Sequence, residues 1–300
     1  MEIVLLYGGD SNEREVSLRS GTRVANALRE RGHCVRALDV RGAPAAEDLA
    51  AMRAADAVFL ALHGGAGEDG RLQALLERSG IRHYTGSPPR GAALAMHKER
   101  AKLRVCRAGV RVAKGRVVYG ECSDPPLPYP FVCKPLRGGS SVGLSIVSND
   151  ADWQKLAPLG HFFEETLCES YLSGREYTVG VLAGRALPVV EIRPRGGVYD
   201  YHHKYTPDAV IELCPAPLPA SVSERLLQDA LRAFCALGLR DYARIDFRED
   251  DRGIPHFLEA NALPGMTETS LLPLAARASG MDLPTLCERM ACLAANRKIR

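Results

Sequence analysis

An α/β unit at the N-terminus followed by α+β units is the fold class predicted by this sequence of 300 residues. Three observations predict it. Strand-like and helix-like runs alternate over the first 90 residues, a glycine-rich loop at 134–143 separates two strand-like runs, and two half-apolar strands carrying acidic residues flank a turn at 249–253.

Ile3–Tyr7 reads as a short buried strand. The helix after it runs to about Glu30, with Val16, Val24 and Leu28 at helical spacing and Gly32 as its stop. Val35–Val40 and Ala57–Leu62 are the next strands, and Leu72, Leu75 and Leu76 mark a helix that closes at Gly80. This alternation implies a parallel sheet with helices on its faces. The turn cluster Thr85-Gly86-Ser87-Pro88-Pro89 breaks it and sets a boundary, so residues 1–88 form an N-terminal α/β domain. One helix is expected near Ala92–Ala108. A proline-rich stretch, Pro125–Pro130, leads to strands at Phe131–Lys134, Leu144–Val147 and Thr166–Ser170. Leu172-Ser173-Gly174 sets the second boundary, which makes 89–172 a small central β-rich domain and 173–300 a C-terminal mixed domain. The latter has strands at Tyr177–Leu182, Val189–Ile192, Ala243–Arg248 and His256–Ala260, with helices near Ser223–Leu237 and Leu271–Ser279.

Composition excludes several function classes. The net charge of +3 comes from 39 Lys+Arg against 36 Asp+Glu spread along the chain, which gives no nucleic-acid surface. The apolar stretch at the start is too short for a signal peptide and lacks a basic leader, and no run reaches the length of a membrane span. The nine cysteines are odd in number, dispersed and without a C-x-x-C pair, so they read as thiols of a reducing cytoplasm rather than a disulfide framework or zinc ribbon.

Two constellations carry chemistry. Arg244-Ile245-Asp246 and Glu259-Ala260-Asn261 each put two polar side chains on one strand face, since side chains alternate along a strand. Symmetric pairing about Glu249-Asp250-Asp251-Arg252-Gly253 sets Asp246 opposite Glu259 and Arg244 opposite Asn261. Two facing carboxylates repel. A bound Mg²⁺ that bridges to phosphates removes that cost, whereas a register slipped by one residue would leave a solvated hairpin. The second constellation is Lys134-Pro135-Leu136-Arg137-Gly138-Gly139-Ser140-Ser141-Val142-Gly143, which lacks the Walker order and is followed by a strand, not a helix. Such a loop can fold over phosphates as a flap, with Lys134 as a point charge; the plainer alternative is a hairpin tip.

These residues belong to a longer series in one order: Gly8-Gly9…Glu13-Arg14-Glu15-Val16-Ser17, Leu62-His63-Gly64…Gly67-Glu68-Asp69-Gly70, Lys134-Pro135…Gly139-Ser140-Ser141-Val142-Gly143, Tyr199-Asp200-Tyr201…Lys204-Tyr205, Arg244-Ile245-Asp246 and Glu259-Ala260-Asn261…Pro264-Gly265-Met266-Thr267. Over nearly its full length the chain resembles the D-alanine–D-alanine ligases, ATP-grasp enzymes of bacterial cell-wall synthesis. The resemblance implies an ATP-grasp fold of three domains, with ATP held between sheets of the central and C-terminal ones. It implies two Mg²⁺ or Mn²⁺ ions on Asp246, Glu259 and Asn261. Lys98, Lys134, Ser140 and Ser141 would contact the nucleotide's phosphates, Glu169 the adenine amino group, Glu176 the ribose, and Tyr171 would lie beside the nucleotide. Glu13, with Ser140 and Tyr205, would hold the ammonium of the first D-alanine near His63. Arg244 and the amide of Gly265 would stabilise the oxyanion of the tetrahedral intermediate. The start of the helix at Ser270-Leu271, with Lys204, would receive the carboxylate of the second D-alanine. Each has a bland alternative: a solvated Lys98, a structural His63, or a Glu13 that only favours a helix N-terminus. Arg195–Thr206, polar and tyrosine-rich, reads as a closing lid.

The implied activity is ATP-dependent joining of two D-alanines through an acyl phosphate, for peptidoglycan precursors, by a cytoplasmic homodimer. The alternatives are a ligase that makes D-alanyl-D-lactate or another D-dipeptide, and a non-catalytic ATP-binding regulator. The sequence departs from the family pattern at Leu136 and Gly138 in the flap, at Val198 and His202-His203 in the lid, and at Ala262.

Overall fold

The computed structural model describes residues 1–120, 124–139, 143–156, 165–194 and 210–297. Strand β1 (Glu2–Gly8) is buried through Ile3–Leu6, and β2 (Cys34–Val40) and β3 (Ala57–Leu60) pair with it on either side, both parallel. Parallel neighbours need crossovers, and α1 (Arg14–Glu30) and α2 (Ala46–Ala54) supply them. The second helix escapes a search for periodicity because Ala46, Ala50, Ala51 and Ala54 make no apolar stripe. A four-residue helix, α3 (Gly65–Glu68), and α4 (Arg71–Arg78) follow.

The single helix expected at 92–108 is two helices, α5 (Pro89–Met96) and α6 (Lys98–Arg107). The chain turns extended at His97 (φ −94°, ψ 93°), whose ring accepts a hydrogen bond from the Arg100 amide at 3.4 Å and so caps α6. The break puts Lys98 at a helix start, where its amide donates to Leu136 O at 3.1 Å.

A four-stranded antiparallel sheet comes next: β4 (Gly115–Tyr119), β5 (Phe131–Pro135), β6 (Ser145–Val147) and β7 (Glu165–Ser170), in the order β4-β7-β5-β6. One face packs Phe131, Cys133, Val147 and Cys168 against Trp153 of α7 (Asp150–Leu156). Period-two alternation then forces Val132, Lys134, Ile146 and Glu169 to the other face. The partly exposed β4 was not among the expected strands.

The third sheet contains β8 (Glu176–Leu182), β9 (Arg185–Ala186), β10 (Val190–Pro194), β11 (Val210–Leu213), β12 (Tyr242–Glu249) and β13 (Pro255–Asn261), in the order β11-β10-β8-β12-β13, with β9 paired to β8. Its rear face, with Tyr177, Val179, Ile245 and Phe247, is buried under α8 (Ala220–Ala236) and under Ala92 and Val105 of α5 and α6. The last two helices, α9 (Leu271–Ala278) and α10 (Leu283–Ala295), bury Leu272, Leu286 and Met290 in the same core as Leu5, Leu28 and Phe59 of the first unit. Each such side chain contributes about 1.5–3 kcal/mol when fully buried, so the chain's end is tied to its beginning.

The β12–β13 register is the expected one: Arg244 faces Asn261 and Asp246 faces Glu259. Beyond that pair a bulge lets Phe247 oppose Phe257, with Leu258 as the extra residue. The bulge keeps Phe257 in the rear core while Glu259 and Asn261 stay on the front face.

Candidate active site

The front faces of the four- and six-stranded sheets enclose a cavity that the loops after β1 and β3 complete. Every described residue predicted for the site lines it: Glu13, His63, Lys98, Lys134, Glu169, Tyr171, Glu176, Arg244, Asp246, Glu259, Asn261, Gly265, Ser270 and Leu271. Ser140, Ser141, Lys204, Tyr205 and the expected lid at 195–206 lie outside the described residues.

At the centre, Asp246 is largely buried and braced from two sides. Thr178 Oγ1 donates to its Oδ1 at 2.6 Å, while Arg244 Nε and Nη2 each reach a carboxylate oxygen at 2.9 Å. Glu259, across the strand pair, lies 3.9 Å from Lys98 Nζ. Asn261 Oδ1 accepts from the Leu263 amide at 3.0 Å, which fixes the carboxamide. Two carboxylates and a carboxamide oxygen form a hard-oxygen set that fits Mg²⁺ or Mn²⁺. Among the described residues no group of three or more His, Cys, Asp or Glu converges on one point.

Lys98 links this centre to the flap. Its Nζ donates to Gly138 O, its amide to Leu136 O, and its side chain is buried. The bland reading of a solvated lysine is therefore not what the fold provides.

One end of the cavity holds an ion cluster. Lys134 and Lys102 both reach the carboxylate of Glu169, one on each oxygen, and all three side chains are buried. Burial alone pushes the Glu169 carboxyl up, but the two lysines outweigh it and hold it at about 2. Burial lowers Lys134 too, yet Glu169 and then Glu259 more than compensate and leave its ammonium above the usual range. For Lys102 burial wins: Glu169 supports the charge, Lys134 opposes it, and the ammonium sits below the usual range. Nearby, Arg248 Nη1 reaches Glu176 Oε2 at 3.4 Å and its guanidinium lies 5.6 Å from the Tyr171 ring centroid.

The other end is built on hydrogen bonds. His63 is buried with Nε2 3.1 Å from Ser20 Oγ and Nδ1 3.5 Å from Glu68 Oε1, and Ser20 Oγ accepts from the Met266 amide at 3.2 Å. Burial raises the Glu68 carboxyl above its ordinary range, against the pull of His63. Glu13 starts α1, and its carboxylate lies so near Gly64 (φ +67°) that a Cβ there would come 2.8 Å from Oε2. The same oxygen is 3.9 Å from the Cβ position of Gly139 in the flap. At Gly265 a Cβ would fall 2.7 Å from Ser270 Oγ, so the hydroxyl would have to turn away. That hydroxyl turns back to accept from the Thr267 amide at 2.9 Å instead of capping α9, whose first turn faces the cavity.

Lys102, Glu68, Thr178 and Arg248 were missed as site residues. Lys102 carried one usable signal, its i,i+4 spacing from Lys98 on a single helix face. Arg248 carried another, the same two-residue step along β12 that relates Arg244 to Asp246.

Comparison with known proteins bears on this arrangement. Residues 116–291 match the family model described as D-ala D-ala ligase C-terminus. A D-alanine--D-alanine ligase of Methylacidiphilum infernorum (isolate V4) is 42% identical over 289 residues, spanning 96% of this chain and 93% of the relative. Among solved structures, D-alanine--D-alanine ligase from Bacillus anthracis complexed with ATP matches with a TM-score of 0.84 at 30% identity, covering 100% of this chain and 98% of that one. The VanG D-Ala:D-Ser ligase from Enterococcus faecalis matches with a TM-score of 0.81 at 25% identity, covering 98% and 99%.

Proposed function

We propose a division of labour in this cavity from one premise: the chain belongs to the D-alanine–D-alanine ligase family and is an ATP-dependent ligase that joins two D-alanines for peptidoglycan synthesis. The single observation that carries the assignment is that the Asp246–Glu259–Asn261 oxygens and the Glu13–His63 group open on the same cavity. A phosphate donor and an amino acid can meet only in such a shared space.

In this reading ATP lies between the two sheets. Lys98, Lys134 and the flap residues Ser140 and Ser141 bind its phosphates, Glu169 accepts from the adenine amino group, Tyr171 packs beside the nucleotide and Glu176 binds the ribose. Asp246, Glu259 and Asn261 hold Mg²⁺ or Mn²⁺, which when bound offsets phosphate charge and orients the γ-phosphoryl group. Phosphoryl transfer needs positioning and charge stabilisation more than proton chemistry, and the buried lysines supply both.

Glu13, with Ser140 and Tyr205, holds the ammonium of the first D-alanine and His63 borders its subsite. One carboxylate oxygen of that D-alanine attacks the γ-phosphorus, and ADP leaves. The amine of the second D-alanine, in its neutral form, then attacks the acyl carbon; phosphate leaves, and the surplus amine proton departs with it as hydrogen phosphate. Arg244 faces the oxyanion formed in this step together with the Gly265 amide. Its guanidinium carries five donors, of which Nε and Nη2 keep Asp246 in place. The first turn of α9 at Ser270-Leu271, with Lys204 as countercharge, receives the carboxylate of the second D-alanine.

Phosphate release decides the reading. It is expected with ATP and D-alanine, and to be near background with ATP alone or with L-alanine; no D-alanine-dependent release overturns it. The enzyme is proposed to act as a cytoplasmic homodimer, as family members commonly do, which light scattering of the purified protein checks. Among the described residues no helix is long and apolar enough to cross a membrane.

A further inference from the structure

We infer that Lys102 is the positioning residue for base selection: it keeps Glu169 a hydrogen-bond acceptor, and so favours a purine with an amino group at C6 over one with a carbonyl there. The inference rests on the proposed reading that Glu169 faces the base. Strand register places Ile146, Val132, Glu169 and Gly115 in one row across β6, β5, β7 and β4. Val132 and Ile146 line the cavity from this side and Leu258 from the other sheet, which makes an apolar slot with a carboxylate in its wall. The row is closed at β4, where a Cβ on Gly115 would meet Glu169 Cβ at 3.0 Å.

The two lysines on Glu169 differ in where they stand. Lys134 lines the cavity, where the proposed phosphate contact would draw it off the carboxylate. Lys102 comes from α6, is 6% exposed and is not part of the cavity lining. It stays on Glu169 when Lys134 moves. Without Lys102, a carboxylate that is 3% exposed would lose its countercharge and take up a proton. A protonated carboxyl can donate, which suits the C6 carbonyl of guanine, whereas a carboxylate accepts only and suits the amino group of adenine.

The test is Lys102→Met, compared with wild type and Lys102→Arg for ATP and GTP at saturating D-alanine. The expected result is a KM for ATP raised about 10-fold, kcat within about 3-fold, and an ATP-over-GTP preference reduced at least about 10-fold, largely restored by Lys102→Arg. A folded Lys102→Met enzyme with unchanged preference overturns the inference. Should that variant not fold, Glu169→Gln and the double variant Lys102→Met/Glu169→Gln replace it. Equal preference in those two supports action through the Glu169 charge, and a further change on adding Lys102→Met overturns it. Loss of D-alanine-dependent phosphate release in the wild type would instead defeat the functional reading itself.

Discussion

At the end of the cavity proposed for the nucleotide, Lys102 and Lys134 close on the buried carboxylate of Glu169; at the end proposed for the amino acid, His63 bonds to Ser20 and lies beside Glu68, and Ser20 accepts from a backbone amide. The first end stores strong charge in a low-dielectric site, so an incoming phosphate competes with a carboxylate already in place. The second end is held by hydrogen bonds that reach side chains and a backbone amide. The difference teaches how one cavity handles two unlike substrates. On the proposed assignment, a polyanion would be met by exchange of ion-pair partners and a small zwitterion by preset hydrogen bonds.

Three experiments break or sharpen this contrast. The largest effect is expected at the junction of the two ends, where Glu259 lies beside Lys98 and opposite Asp246. Glu259→Gln should lower kcat on the order of 10³-fold, with the KM of the first D-alanine changed little. A variant near wild-type turnover would show the metal donors to be misassigned.

The amino-acid end is probed by His63→Ala, which strips Glu68 and Ser20 of a shared partner. Its expected effects are a KM for D-alanine raised about 10-fold at unchanged KM for ATP, and a stability loss of about 1–3 kcal/mol. If both KM values rise together, the two ends do not act separately.

The smallest effect is on stability against pH. The Glu169 carboxyl is held at about 2, below its ordinary value of 4.5. A lowered folded-state value means that its contribution to stability is complete above 4.5 and is lost as pH falls toward 2. Buried Glu68 is raised and has the opposite sign: its stabilising share is present at low pH and is lost as pH rises through its folded value. Melting temperatures are expected to fall as pH drops below about 4.5 through Glu169, with Glu68 opposing that fall and Glu169→Gln flattening the acid limb. An acid limb as steep in Glu169→Gln as in wild type would remove Glu169 from the account.

How far the sequence was legible varied with the range of the interaction. The parallel unit could be read because β1 and β3 are buried apolar runs and α1 has one apolar stripe. The facing pairs of β12 and β13 agree with symmetric pairing about the turn, but they are reached through a bulge at Leu258 that the sequence did not show. The break at His97 could not be read, because a histidine inside a helical pattern carries no stop signal and the Lys98 amide beside it bonds to Leu136 O, far along the chain. Nor could α2 or β4 be found, since an alanine-rich helix and a half-exposed edge strand have weak periodicity.

The sequence by itself determined which chemistry was available here: acidic and amide oxygens at alternating strand positions, glycines where backbone must approach closely, and lysines beside the flap. Only the tertiary structure decided which charges are buried together. Glu169, Lys134 and Lys102 come from β7, β5 and α6, which are far apart in the chain and meet through sheet pairing and helix packing. Local propensity reaches a few residues, whereas the charge state of a buried group depends on every element packed around it.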